Sequence, residues 1–493
     1  MRSDTRPTAI DPEQAYRAMQ ARDARFDGRF YVGVTSTGIY CRPVCRVRLP
    51  KAENCRFFAH PSAAECAGFR PCLRCRPEQA PGWSGTDAAR QLAQAGARLI
   101  DHAVAQGESP ALPDIAAQLG ITERHLRRVF QVHLGVSPID WQTTQRLLLA
   151  KRLLSDTALP VTQVASASGF GSLRRFNAAF LARYRLSPSD LRRQASPQAP
   201  IPVRALRLPW RPPYDRAAMQ GFLAARPLTG VEACTPDGWW RRTLALTHQG
   251  QTLHGWIALR FEDDAAALDV APTLAPALGA VLARVRHLLD LDADPATIDP
   301  VLASLPVPAR PGLRVPGCID GFETLVRIIL GQQVTVAAAC TLAARLVDRF
   351  GTPLATPWPA LNRLFPDART LADAPAEAIG TLGIVRARVA ALQAVARAVV
   401  AGDLALHPAA PIEATLARLR ALPGIGDWTC ELVALRVLAW PDAFPATDAG
   451  VVKALGGLRA AQSLPLAEAW RPWRSYAVMQ LWQSLVDRPL ETR

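Results

Sequence analysis

Four cysteines form two close pairs, Cys41-x3-Cys45 and Cys72-x2-Cys75, separated by 26 residues. Two close pairs joined by a longer insert are the arithmetic of a tetrahedral zinc site. Such a site also lends a core to a segment too small to be very stable by itself. The spacing alone leaves a purely structural zinc and a reactive zinc-bound thiolate both open. Cys55 and Cys66 fall outside the pairs and are expected as core thiols. Far along the chain, Leu422-Pro423-Gly424-Ile425-Gly426-Asp427-Trp428 reads as a tight glycine turn opening a helix. Backbone N–H groups around Gly424 and Gly426 can hold one phosphate there without reading sequence. The same string also fits a plain turn. Asp448 follows Trp428 by 20 residues.

The elements that must position these groups fall into segments. A chain of 493 residues suggests about three or four domains. It carries 57 Lys+Arg against 42 Asp+Glu, and the excess is uneven: residues 1–195 hold 28 basic and 16 acidic residues. A basic N-terminal part points to a polyanion, most often nucleic acid. Only Lys51, Lys151 and Lys453 are lysines, so no arginine is singled out by its type alone. The opening stretch from Met1 to Gln14 is polar, and no window reaches the roughly 18–20 apolar residues of a membrane span. A soluble, cytoplasmic and nucleoid-associated protein is therefore expected, with its cysteines as thiols, ligands or nucleophiles rather than disulfides. Six prolines between 195 and 213 read as an extended linker or an edge segment. Beyond it, 239–260 reads as strands, and 321–349, 372–402, 412–420 and 428–440 as helices.

One internal repeat is visible. Phe130 to Pro138 matches Phe180 to Pro188 at an offset of 50 residues, with Gly120 and Gly169 at similar places upstream. Two helix-turn-helix copies fit this. In the first, the stretch from Leu112 to Thr122 contains a short helix and a turn at Gly120, and Thr122 can N-cap the next helix. Leu126, Val129 and Phe130 make its buried stripe, leaving Arg124, Arg127 and Arg128 outside. In the second, Val161–Ala167, Gly169-Phe170 and the Ser172 cap lead into Leu173-Arg174-Arg175-Phe176.

Three resemblances follow from longer strings. Thr37-Gly38-Ile39-Tyr40-Cys41-Arg42-Pro43-Val44-Cys45-Arg46 with Gly68-Phe69-Arg70-Pro71-Cys72-Leu73-Arg74-Cys75 closely resembles the metal-binding domain of the Ada family. The resemblance implies one Zn2+ on Cys41, Cys45, Cys72 and Cys75. It also implies that Cys41 takes a methyl group from a DNA methylphosphotriester, once. Arg42, Arg46, Arg48 and Arg70 are expected phosphate contacts. Residues 95–193, through Gly169-Phe170, Phe180, Tyr184, Ser187-Pro188 and Leu191, resemble the AraC-type DNA-binding domain. That likeness implies two recognition helices in the major groove, carrying Arg124, Arg127, Arg128, Arg174 and Arg175. Coupled to the sensor, it implies methylation-triggered activation with RNA polymerase as partner.

The hairpin, Phe444-Pro445-Ala446-Thr447-Asp448-Ala449-Gly450-Val451, Gly221-Phe222-Leu223-Ala224-Ala225-Arg226 and Ile329-Leu330-Gly331-Gln332-Gln333 resemble AlkA-type 3-methyladenine glycosylases of the helix-hairpin-helix superfamily across 205–485. The likeness implies Asp448 as catalytic carboxylate, Trp428, Trp482 and Phe222 as pocket aromatics, and excision of 3-methyladenine and 7-methylguanine from double-stranded DNA. Trp428 stands where the superfamily's lyase branch keeps a lysine, which implies no lyase activity. The place of the family's frequent wedge Leu is Gln333, and Leu432 replaces a pocket Tyr. No Pro-Cys-His-Arg motif of an O6-alkylguanine methyltransferase is present. Asp427, Glu431 and Asp442 are read as surface carboxylates, and an alkali cation near the Leu422 and Ile425 carbonyls is a further implication.

The expected fold is multidomain and mainly α. It comprises a small zinc-bound α/β domain (1–82), an all-α double helix-turn-helix (86–195), a mixed α/β TBP-like domain (203–304) and an all-α helix-hairpin-helix glycosylase domain (305–493). A monomer is expected. Two other functional readings stand beside the fusion of sensor and glycosylase: a regulator whose glycosylase half is inactive, and a glycosylase with a plain zinc tether.

Overall fold

The computed structural model describes residues 12–23, 26–27, 30–58, 61–77, 85–194 and 203–487. The polar opening up to residue 11 and Pro197, Pro200 and Pro202 of the expected linker lie outside them. The chain forms two compact units, Met1–Ile100 with Pro110–Trp141, and Asp101–Ser109 with Gln142–Arg493. No described helix is long and apolar enough to cross a membrane.

In the first unit, β1 (Tyr31–Val34), β2 (Ile39–Cys41), β3 (Cys55–Phe58) and β4 (Arg70–Pro71) form one sheet in the order β3-β1-β2-β4. Alternation along the strand sorts its side chains. Phe30 and Val32 pack with Ala15, Ala18 and Met19 of helix Pro12–Gln20, while Tyr31 joins Tyr40, Ala64 and Phe69. β2 and β4 pair in parallel, Tyr40 opposite Pro71, and the Cys72 N–H donates to the Tyr40 carbonyl at 3.0 Å. This pairing is what brings Cys41, at the end of β2, beside Cys72. The first helix-turn-helix follows the sequence expectation: helix Leu112–Gln118, Gly120 at φ +66°, and helix Glu123–Leu134. Thr122 Oγ1 accepts the His125 N–H at 3.2 Å. Leu126, Val129 and Phe130 are buried, and Gly96 is needed beneath them, since a Cβ there would lie 2.8 Å from the Phe130 ring.

The second unit repeats the motif with Val161–Ala167, Gly169 at φ +80° and Leu173–Tyr184, whose cap Ser172 accepts from Arg175 N–H. It continues into an antiparallel sheet of β5 (Val203–Pro209), β6 (Glu232–Cys234), β7 (Trp239–His248), β8 (Gln251–Phe261) and β9 (Ala265–Val270), ordered β5-β9-β8-β7-β6. Part of the proline-rich stretch is thus an edge strand, where a missing N–H costs no ladder bond. Phe176 and Phe180 of the repeat share one core with Leu206, Leu244 and Leu268 of the sheet.

The rest is helical. The stretch read as helix over 321–349 is two helices, Gly321–Leu330 and Val336–Phe350. Between them Gln333 takes a left-handed φ of +54°, and Thr335 accepts from Ala338 N–H to start the second. The 372–402 stretch likewise breaks, around Gly383 at φ +87°, into shorter pieces and helix Arg386–Val400. Helix Asp427–Arg436 ends earlier than 440.

A buried charge set ties the sheet to helix Gly321–Leu330. Arg242 donates to Glu232 (2.9 Å) and Glu323 (2.6 Å), and Arg327 lies 3.2 Å from both carboxylates. Two cations against two anions compensate each other. Taking one member away would strand a buried charge, at a cost of about 3–5 kcal/mol.

Candidate functional site

The Sγ atoms of Cys41, Cys45, Cys72 and Cys75 all lie within 4.8 Å of one another. A tetrahedral zinc with Zn–S of about 2.3 Å sets its sulfurs about 3.8 Å apart, so the four residues fit the ion. Each pair sits in a tight turn, marked by Cys45 N–H to Arg42 carbonyl (3.1 Å) and Arg76 N–H to Cys72 carbonyl (3.0 Å). The donor set itself asks for a cation. A hydrogen bond to Cys75, burial and the neighbouring sulfurs push the Cys41 thiol far up, and burial carries Cys45 to about 11. Cys75, accepting from Cys41 above all, is drawn down to about 6. Four sulfurs this close cannot all ionise unless a divalent ion balances them.

Of the arginines expected on phosphate, Arg46, Arg48 and Arg70 are exposed. Arg42 is turned inward, its Nε on Asp27 Oδ1 at 2.8 Å and its Nη1 on the Cys75 carbonyl at 3.3 Å. Cys55 is half-buried and packs against the core of Ala15, Phe30 and Val32, its Sγ 3.3 Å from the Lys51 carbonyl; the Cys66 side chain lies outside what is described.

Asp448 stands at the N-cap of helix Ala449–Ala454. Its Oδ1 accepts the N–H groups of Gly450 (2.9 Å) and Val451 (3.1 Å) and the Trp482 indole N–H (2.9 Å). Its Oδ2 accepts the Trp428 indole N–H at 3.0 Å. The carboxylate therefore does cap a helix, and in addition bridges two indoles that arrive from separate helices, Asp427–Arg436 and Arg474–Val486. Four donors fix one negative charge without any cation. Gly450 was not singled out from sequence. A Cβ there would come within 2.8 Å of the Trp482 ring, so only glycine lets the indole reach Asp448.

The hairpin is built as the glycines imply. Gly424 has φ +74° and lies exposed beside Gly426, the N-cap of the Trp428 helix. Gln332 was also missed: its Nε2 donates to the Gly424 carbonyl (3.0 Å) and Thr429 Oγ1 (3.1 Å). It latches the loop of Gln333, which is exposed, to the hairpin. No contact signal exists in sequence for a pair 92 residues apart.

Phe222 is partly buried against the same core that Trp428 and Trp482 pack on. Its ring lies under the Arg226 and Arg436 guanidiniums at 4.0 and 4.9 Å, in a cleft with Trp240, Cys318 and the Glu232/Glu323 charge set. Among the described contacts none joins it to Asp448, Trp428 or Trp482. Leu432 is buried. Asp427 is exposed as expected and pairs with Arg420 at 2.8 Å. The surface reading of the other two carboxylates is corrected. Asp442 is buried in a fork with Arg474 (2.7 and 3.1 Å) and Arg471. Glu431 is half-buried, accepts the Phe444 N–H at 2.9 Å, and is raised by burial. In the repeats, Arg124, Arg127, Arg128, Arg174 and Arg175 are all exposed, with Arg127 Nε on Glu123 at 2.9 Å.

Family models match four stretches: the metal binding domain of Ada over 14–78, a helix-turn-helix domain over 115–194, the AlkA N-terminal domain over 205–320, and the HhH-GPD superfamily of base excision DNA repair proteins over 326–471. The chain is 38% identical over 490 residues to a probable bifunctional transcriptional activator/DNA repair enzyme AlkA of Mycobacterium tuberculosis, covering 96% of this chain and 97% of that one. The chain belongs to this AlkA-type bifunctional family. Its second half is 36% identical to DNA-3-methyladenine glycosylase 2 of Escherichia coli, over 56% of this chain and 95% of the relative. Its first part is 37% identical to the bifunctional transcriptional activator/DNA repair enzyme Ada of Escherichia coli, over 31% of this chain and 40% of the relative. The mainly α, multidomain fold and the three likenesses read from sequence are those of the family, and its Ada-type module is a zinc-binding domain.

Proposed function

We propose that the protein is an alkylation-damage sensor and activator fused to a monofunctional DNA glycosylase that excises alkylated purines, chiefly 3-methyladenine and 7-methylguanine. The observation that carries this is the Asp448 carboxylate, held by both indoles and two backbone N–H groups. Alkylation at N3 or N7 makes the purine cationic and a good leaving group. The base is flipped from the duplex, where the electron-rich faces of Trp428 and Trp482 favour a cation. As the N-glycosidic bond breaks, positive charge grows on the sugar, and the fixed Asp448 anion stabilises it without reorganising. Water adds to the sugar, leaving free base and an abasic site. With Trp428 in place of a lysine, no amine is there for Schiff-base chemistry. Gly424 and Gly426 hold a backbone phosphate, and Gln333 fills the gap left by the base. Phe222 and an alkali cation on the Leu422 and Ile425 carbonyls complete the proposed site.

At the other end, Cys41, Cys45, Cys72 and Cys75 would hold a zinc ion, which would keep their sulfurs as thiolates. Cys41 Sγ attacks the methyl carbon of a methylphosphotriester: the S–C bond forms, the C–O bond breaks, and an ordinary phosphodiester leaves. Among the described residues, backbone N–H groups of Arg42 and Val47 serve Cys75 and Cys45, while none serves Cys41. A sulfur without such donors keeps more of its charge for attack. Losing one negative charge weakens repulsion from phosphate and tightens DNA binding, through Arg46, Arg48 and the exposed arginines of the two repeats. A monomer then activates transcription with RNA polymerase as partner.

One experiment tests both halves. Zinc-loaded protein is incubated with methylated duplex DNA, released base is followed by chromatography, and the Cys41 peptide by mass spectrometry. Base release that vanishes in Asp448→Asn, with a one-methyl gain on Cys41, is the expected result. No base release from wild type would leave a sensor with an inactive glycosylase fold.

A further inference from the structure

We propose that Asp27 and Arg42 form a strap that positions Cys75 in the thiol cluster, and that Arg42 is thereby withdrawn from DNA contact. The inference rests on the reading of the four cysteines as a zinc centre and deepens it. Arg42 and Asp27 have side chains only 18% and 9% exposed, unusual for an arginine beside a DNA-facing surface. The guanidinium forks onto the carboxylate, Nε to Oδ1 at 2.8 Å and Nη2 to Oδ2. That fork leaves Nη1 aimed at the Cys75 carbonyl, 3.3 Å away. The backbone N–H of the same residue donates to Cys75 Sγ at 3.4 Å. One residue thus grips both the main chain and the sulfur of a ligand 33 positions away.

The physical consequences follow in order. Cys75 is the most open of the four cysteines, the other three being buried, so its loop has the most freedom to drift. A bidentate Arg–carboxylate pair is rigid and specific, which makes Asp27 the anchor and Arg42 the arm. Partners that orient metal ligands in this way typically hold about 10–100-fold of metal affinity. The N–H bond to Cys75 Sγ also draws charge from that sulfur, leaving Cys41 as the more nucleophilic member. Arg42 is a positioning residue and touches neither methyl group nor phosphate.

The test uses the full-length protein and reads the metal directly. Zinc affinity is measured by competition with a chromophoric chelator, and ligand geometry by the absorption bands of the cobalt(II)-substituted protein. Arg42→Ala is expected to weaken zinc by about 10–100-fold and shift the cobalt bands. Asp27→Asn, nearly the same shape, is expected to do so less, and Arg42→Lys to fall between. The exchanged pair Asp27→Arg with Arg42→Asp is expected not to recover affinity, because an aspartate cannot donate to the Cys75 carbonyl. Recovery by the exchange would reduce the strap to a simple ion pair and overturn it. So would unchanged zinc affinity and cobalt bands in both Arg42→Ala and Asp27→Asn. Asp27→Asn keeps the test informative should Arg42→Ala lose its circular dichroism spectrum. Wild type that binds zinc tightly but gains no methyl on Cys41 would sink the methyl-acceptor reading and leave the strap standing.

Discussion

The cysteine cluster and the Asp448 site solve one problem in opposite ways. Each holds an anion in a partly desolvated place. At the cluster, four like groups within 4.8 Å exceed what neighbouring N–H donors can balance, so a divalent cation must do it. At Asp448 a single carboxylate meets four N–H donors and needs none. The difference separates two kinds of chemistry. On the proposed function, a sulfur with few donors keeps its lone pair for attack and is consumed by it, whereas a carboxylate saturated with donors is a fixed charge that survives every turnover. A third set, Arg242 and Arg327 with Glu232 and Glu323, balances its anions with guanidiniums.

Five substitutions sharpen or break this contrast. The largest effect is expected from Cys41→Ala, which should abolish methyl transfer while base release stays within about twofold of wild type, because no donor to Asp448 comes from this segment. A methyl found on Cys75 by peptide mapping would break the assignment of the reacting sulfur.

Next, Glu323→Gln should cost about 3–5 kcal/mol in chemical denaturation by stranding Arg242 and Arg327. Burial alone would raise Glu323, but Arg242 and Arg327 outweigh it and hold the carboxyl below its ordinary range. Its contribution is therefore complete above the unfolded value of about 4.3 and is lost as pH falls through the lower folded one. The gap between wild type and Glu323→Gln should shrink as pH drops from about 6 towards about 3; a gap that widened would reverse the sign.

Asp448→Asn should lower single-turnover base release by about 10²–10³-fold, the size of a lost preorganised charge, with Cys41 methylation intact. The smallest effects come from removing single donors. Trp428→Phe takes the indole donor described on Oδ2 and should cost about 10–100-fold in base release. Trp482→Phe leaves two backbone N–H groups on Oδ1 and should cost about tenfold or less. Equal losses would mean that both rings act through stacking on the base rather than through their N–H groups.

Much of the site was legible where the signal is local. The spacing within each cysteine pair, the Thr122 and Ser172 caps, and the turns at Gly120, Gly169 and Gly424 all follow from neighbours a few residues apart. What was illegible depends on partners far along the chain. Arg42 looked like a phosphate ligand until Asp27 and Cys75 closed on it. Asp442 looked like a surface group until Arg474 buried it. Gly450 carried no signal of its own until Trp482 packed against it from 32 positions away.

The sequence by itself determined which chemistry this chain carries: thiolates at metal-binding spacing, a carboxylate beyond a glycine hairpin, and arginines on two repeated helices. Only the tertiary structure decided how each charge is compensated: Arg42 strapped to Cys75, Asp448 bridged by two indoles, Phe222 covered by two guanidiniums. The reason is physical. Residue type and spacing fix the groups and their local backbone, whereas desolvation and pairing energies depend on which distant side chains arrive, and those arrive only when the chain folds.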